Sequence, residues 1–152
     1  MKTRILIFFF VFLAQALYAQ EEPTAKCVYK YSSVEFLDEN GKSVDFIEKA
    51  EGIVLFAEIE TQNYIALTIG DKSVFDATIT KSKRENFDEK SYADIYLCVQ
   101  EFQGVLVPLQ FFVIFDKTKS TFVPESIVVQ LMNKDTGKIT QTQSYTGISR
   151  TK

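Results

Sequence analysis

Few residues in this chain could do acid–base, nucleophilic or metal chemistry. Its 152 residues include no histidine. That excludes Ser-His-Asp and Cys-His triads, imidazole-held zinc, copper or iron, and any pH switch resting on imidazole. The six glycines are scattered, so there is no phosphate-cradling loop of the Walker or dinucleotide kind. Carboxylates remain: Asp71, Asp76, Asp88, Glu89, Asp94 and Glu101. No spacing selects a pair among them, and such residues ordinarily sit in solvent. Asn133 to Gly137 faintly resembles a calcium loop but lacks the fifth-position acid, and Ser144 stands where the closing Glu belongs. A plain turn is the simpler reading. Lys81, Lys83 and Arg84 form a small basic cluster that Glu85, Asp88 and Glu89 neutralise. The chain therefore reads as a non-enzyme, with no cofactor and no metal expected.

The first twenty residues, MKTRILIFFFVFLAQALYAQ, have a basic head at Lys2 and Arg4, an unbroken apolar stretch from Ile5 to Leu13, and small residues at Ala14, Ala16 and Ala19. This is the layout of a secretory signal peptide. The apolar stretch is shorter than the ~20 residues a spanning helix needs. Residues 1–19 are expected to be removed, residues 20–26 (QEEPTAK) to form a flexible tail, and 27–152 to form one β-domain. The expected location is the periplasm or the extracellular space, with outer-membrane association compatible. The leader carries two of the 17 basic residues and none of the 20 acidic ones, so the mature chain is acidic, near −5. Nucleic acid and anionic lipid are thus poor electrostatic partners, and no other segment is long enough to span a membrane. Both cysteines, Cys27 and Cys98, lie in the mature part. In an exported chain they could form a disulfide, worth about 4 kcal/mol by loop entropy if unstrained. The alternative is two buried thiols.

Short apolar runs alternate with turn signals along the mature chain. Runs are expected at Val28–Leu37, Val44–Ile47, Ile53–Glu60, Tyr64–Ile69, Val74–Thr80, Ile95–Phe102, 104–115, Ile127–Met132 and Ile139–Gly147. Asn40-Gly41 is a hairpin signal, and 47–52 is ambiguous with a helical turn. Residues 81–93 break the rhythm with mixed charge and read as a long loop. No amphipathic crossover helix lies between the runs, so consecutive strands should pair antiparallel. The fold class is all-β: an antiparallel meander of about nine strands with little helix, either an up-and-down barrel or a two-sheet sandwich. Its size and order resemble the lipocalin architecture in outline, which implies a carrier of a small apolar ligand. The lipocalin Gly-x-Trp signature is missing, because the chain has no tryptophan.

The run GVLVPLQFFVIF, residues 104–115, raises the functional question. One face carries Val105, Val107, Leu109, Phe111, Val113 and Phe115 and must face the core. The other face carries Leu106, Phe112 and Ile114, where a solvated antiparallel sheet should be polar. Pro108 predicts an edge, a bend or a split into 104–107 and 109–115. On the preceding strand Ile95, Leu97 and Val99 read as the core side, with Tyr96 and Cys98 outward. Three explanations follow for the second apolar face. The 81–93 segment or the 47–52 turn covers it. A protein partner binds it, through Leu106, Phe112, Ile114 and Tyr96. Or the inward residues Leu109, Phe111, Val113 and Phe115 line a cavity for a small apolar ligand. The leading expectation is a non-enzymatic exported β-domain that binds another envelope or extracellular protein. The alternative is a lipocalin-like carrier.

Overall fold

The structure, a computed structural model, describes residues 24–151 apart from residue 121. The signal-peptide expectation for residues 1–19 lies outside the described residues. Among the described residues nine strands follow one another: β1 (Thr24–Leu37), β2 (Ser43–Ile59), β3 (Gln62–Ile69), β4 (Lys72–Asn86), β5 (Ser91–Phe102), β6 (Val105–Asp116), β7 (Ser126–Met132), β8 (Ile139–Thr146) and the short β9 (Ser149–Arg150). Each of β1 to β7 pairs antiparallel with the next, and β1 also pairs with β8. The meander is therefore a closed eight-stranded barrel, not a sandwich. No described residue is helical, so none forms a helix long and apolar enough to cross a membrane.

β1 closes the ring by changing neighbours along its length. Ser33 to Leu37 pair with Thr146 to Thr142 of β8. Beyond a register shift between Tyr31 and Ser33, Tyr29 and Lys30 pair instead with Arg150 and Ser149 of β9. Thr151 continues this edge, its N–H donating to the Val28 carbonyl at 3.0 Å. Gly147 makes the corner: its φ is +65°, and a Cβ there would stand 1.8 Å from Ser32 Oγ.

Residues paired directly across a ladder share a face, which fixes the inside of the barrel. Val54, Leu67 and Phe75 stand in one row. Val113, Ile127, Tyr145 and Val34 stand in another. These side chains and Phe111, Leu109 and Val129 form a continuous packed core. Small barrels are commonly filled by their own side chains in this way.

Four local expectations are corrected. Residues 24–26, assigned to a tail, already belong to β1. Residues 47–52 are strand throughout β2, with an irregularity at Lys49, whose φ is +59°. Most of 81–93 is strand as well: β4 runs on to Asn86 and β5 begins at Ser91. This extension stands clear of the barrel wall, because β3 starts only at Gln62 and Tyr64 pairs with Thr78. Its charges thus remain in solvent, and opposite signs meet across the ladder, as at Arg84 and Asp94. Finally, Pro108 does not split β6. The β7 ladder stops at Leu109, so Pro108 sits where only the β5 side is paired and its missing N–H costs nothing.

Candidate functional site

The turns at 60–61, 87–90 and 117–125 lie at one rim of the barrel, with the start of β1. The turns at 38–42, 70–71, 103–104 and 133–138 lie at the other. The two rims are called upper and lower below. At the upper rim the wall is incomplete: among the described residues, β4 from Lys81 to Asn86 has β5 as its one ladder partner. A cavity of about 310 Å³ opens there.

Six strands contribute side chains to it. Cys27 and Tyr29 come from β1, and Phe56 from β2. Tyr96 and Asp94 come from β5, and Val113 and Phe115 from β6. The aromatic rings form a connected wall. Phe56 and Tyr96 have centroids 5.2 Å apart, and Tyr29 meets Phe56 edge-on at 6.2 Å. Such offset and edge geometries are the favoured ones for ring pairs. On the far side Tyr92 stacks on Phe115 at 5.0 Å, and the Arg84 guanidinium lies 4.6 Å above the Tyr92 ring.

The charges at the mouth are paired. Arg84 Nε and Nη2 donate to the two oxygens of Asp94 at 2.6 and 2.8 Å. The bond to Asp94 holds the Arg84 guanidinium more firmly protonated than usual. Lys26 Nζ lies 2.6 Å from Glu58 and donates to Asn63 Oδ1 at 2.7 Å. Burial raises the Tyr29 and Tyr96 phenols, with Cys27 adding to the first and Asp94 to the second. Burial also pushes the Cys98 thiol up to about 12. The site thus offers aromatic faces, protonated phenols and neutralised charges. Among the described residues no three potential metal-ligating side chains of the Cys, Asp and Glu types converge.

The cavity candidates divide. Val113 and Phe115 line the mouth, whereas Phe111 and Leu109, 0% and 1% exposed, are packed into the core beneath. The partner candidates do not form one surface. Leu106 is 59% exposed at the lower rim. Phe112 and Ile114 do point outward, as read, but are half-buried in an outer cluster with Ala93 and Ile95. Phe87, from the turn that ends the β4 extension, stacks on Phe112 at 6.2 Å. The fold itself therefore covers the upper half of the second apolar face. Tyr96, expected outside, points inward, because it pairs with the core residue Phe111. Cys98 pairs with Leu109 and is likewise inside, and Cys27 and Cys98 are free thiols, not a disulfide.

A usable signal for Tyr96 was present in the sequence. The turn at Gln103-Gly104 places Phe102 opposite Val105. With that register, every odd-numbered core residue of β6 faces an even-numbered residue of β5. Tyr29, Phe56 and Lys26 carried no comparable signal, since nothing local says that β1 and β2 end at the mouth beside β5. No family model matches this chain, and no curated protein or solved structure matches it either.

Proposed function

We propose that this chain is an exported, non-enzymatic binding barrel that takes a small apolar ligand into its upper mouth. One observation carries the reading: a cavity of about 310 Å³, walled by rings, opens at the barrel mouth directly above the buried core. Mouths of β-barrels are a recurrent place for ligands, and mostly apolar pockets with a few polar groups are the usual form. The polar groups here are phenols that stay protonated and charges already satisfied. They suit holding a ligand better than transforming it. The leader-like residues 1–19 support export.

The test is titration of delipidated protein with the uncharged fluorescent dye N-phenylnaphthylamine. Saturable one-to-one binding that Cys27→Trp abolishes by filling the mouth supports the reading. Absence of saturable binding in the folded wild-type protein overturns it.

A second reading, a protein partner, is favoured by the lower rim. Val44 and Phe46 on the β1–β2 hairpin, and Phe102 and Leu106 on the β5–β6 hairpin, are each more than half exposed there, and exposed apolar surface often marks interfaces. Sedimentation over a range of concentrations, comparing wild-type with a Phe46→Asp/Leu106→Asp variant, tests self-association. Identical monomeric behaviour of the two excludes a second copy as that partner.

A further inference from the structure

On the carrier reading just given, we infer that the occupant of the upper mouth is a compact, uncharged aromatic molecule of one or two fused rings, and not a long-chain lipid. Four observations lead there.

The first is depth. A long acyl chain needs a channel along the barrel axis. Below the mouth that axis is occupied by Phe111, Leu109, Val129 and Tyr145, each at most 1% exposed. Interiors packed to this degree do not open without cost, and displacing a buried ring creates strain or voids elsewhere.

The second is volume. About 310 Å³ is at the bottom of the range of roughly 300–1,000 Å³ typical of small-molecule pockets. A ring system fits within it. A folded fatty acid would fill it at the expense of the surrounding contacts.

The third is the wall. Phe56, Tyr96 and Tyr29 present one face and one edge after another. A flat aromatic guest continues that pattern with offset and edge contacts, which add to the area it buries. A flexible chain gains only the area and loses rotamer freedom on binding.

The fourth is charge. A fatty acid brings a carboxylate that wants a cation. Lys26 is already held by Glu58 and Asn63, and Arg84 by both oxygens of Asp94. An ionised head group would meet cations whose charge is already compensated by Glu58 and Asp94. A neutral ring with one hydroxyl or N–H needs only a phenol of Tyr29 or Tyr96 as its partner.

Cys27 gives a direct readout, because it lines the mouth, while Cys98, 2% exposed, serves as the internal control. The rate of iodoacetamide labelling of Cys27 is followed by peptide mass spectrometry with indole, p-cresol or hexadecanoate present. Indole and p-cresol are expected to slow Cys27 labelling at least tenfold and hexadecanoate to leave it unchanged. Protection by hexadecanoate alone overturns the inference yet leaves the barrel a carrier. Protection by none of the three overturns both. Should Cys27 prove unreactive, the Val113 methyl resonances decide under the same titrants. Ring-current shifts with indole and none with hexadecanoate are expected, and the reverse result overturns the inference.

Discussion

The phenol of Tyr31 on β1 donates to the carbonyl of Thr68 on β3 at 2.5 Å, across the strand that lies between them. Gly52 of β2, directly opposite Tyr31, leaves the space. A Cβ at that position would stand 2.1 Å from the Thr68 oxygen and 2.2 Å from the Tyr31 hydroxyl. The Thr68 hydroxyl in turn accepts from the Ile53 N–H at 3.3 Å. Three successive strands are thereby pinned at one point.

Gly52→Ala should accordingly lower unfolding free energy by about 1–3 kcal/mol, the usual cost of forcing extra volume into a filled site. Tyr31→Phe should cost about 1–2 kcal/mol by leaving the Thr68 carbonyl without its partner. In the double variant the two losses should fall short of their sum, because both act on the same bond. Urea unfolding of the four proteins checks this.

Gly147→Ala is expected to be as harmful for a different reason. The backbone there is left-handed and the new methyl meets Ser32 Oγ. The expected loss is about 1–3 kcal/mol, with the β1–β9 corner opening first. Amide exchange at Thr151, bonded to Val28, should rise before exchange in β5 and β6.

Alkaline pH should unfold the protein through its tyrosines. Burial lifts the Tyr31 phenol from its ordinary value near 10 to about 12, and raises Tyr29, Tyr96 and Tyr145 as well. A phenol whose folded value is raised contributes stability that is complete below the unfolded value and lost as pH climbs through the folded one. Melting temperature should therefore be level up to about pH 10 and fall steeply toward pH 12. Absorbance at 295 nm should show these four phenols ionising together with unfolding.

Phe87→Ala should uncover the outer cluster without touching the mouth. The ring is half exposed and rests on Phe112, so a loss of about 1 kcal/mol is expected from the area it covers. Dye binding at the mouth should be unchanged.

Arg84→Gln separates stability from selectivity. The Arg84 side chain is 64% exposed and Asp94 18%, so the pair should contribute no more than about 1 kcal/mol to stability. Loss of Arg84 leaves Asp94 as an unmatched negative charge at the mouth. Cationic aromatic amines should then gain affinity over neutral rings, which competition against the bound dye would report.

Much of the barrel is written in local pattern. Ile65, Leu67 and Ile69 alternate cleanly, as do Phe75, Ala77 and Ile79, and the Asp38–Lys42 and Asn133–Gly137 turns fall where their Asn and Gly residues stand. Two features resist local reading. β5 carries its aliphatic residues Ile95, Leu97 and Val99 on the outer face, so Ile95 looked like core although it lies in the outer cluster; only pairing with β6 decides its direction. The β4 extension carries charges at successive positions because both of its faces meet water, and a strand without a dry side has no period to detect. The mouth was half legible for the same reason. Val113 and Phe115 follow from the core parity of β6, whereas Phe56 and Tyr29 reach the site only through closure of the ring.

That closure sets a condition on biogenesis. Ser33 and Thr146, whose hydroxyls meet at 2.7 Å, are 113 residues apart, and no barrel exists until the penultimate strand has come back to the first. Until it is released from synthesis, β1 and β7 each offer an open edge, the template on which chains aggregate. Such long-range closure is also the slow kind. Truncation before Ile139 should thus yield a sticky open sheet and not a smaller stable barrel.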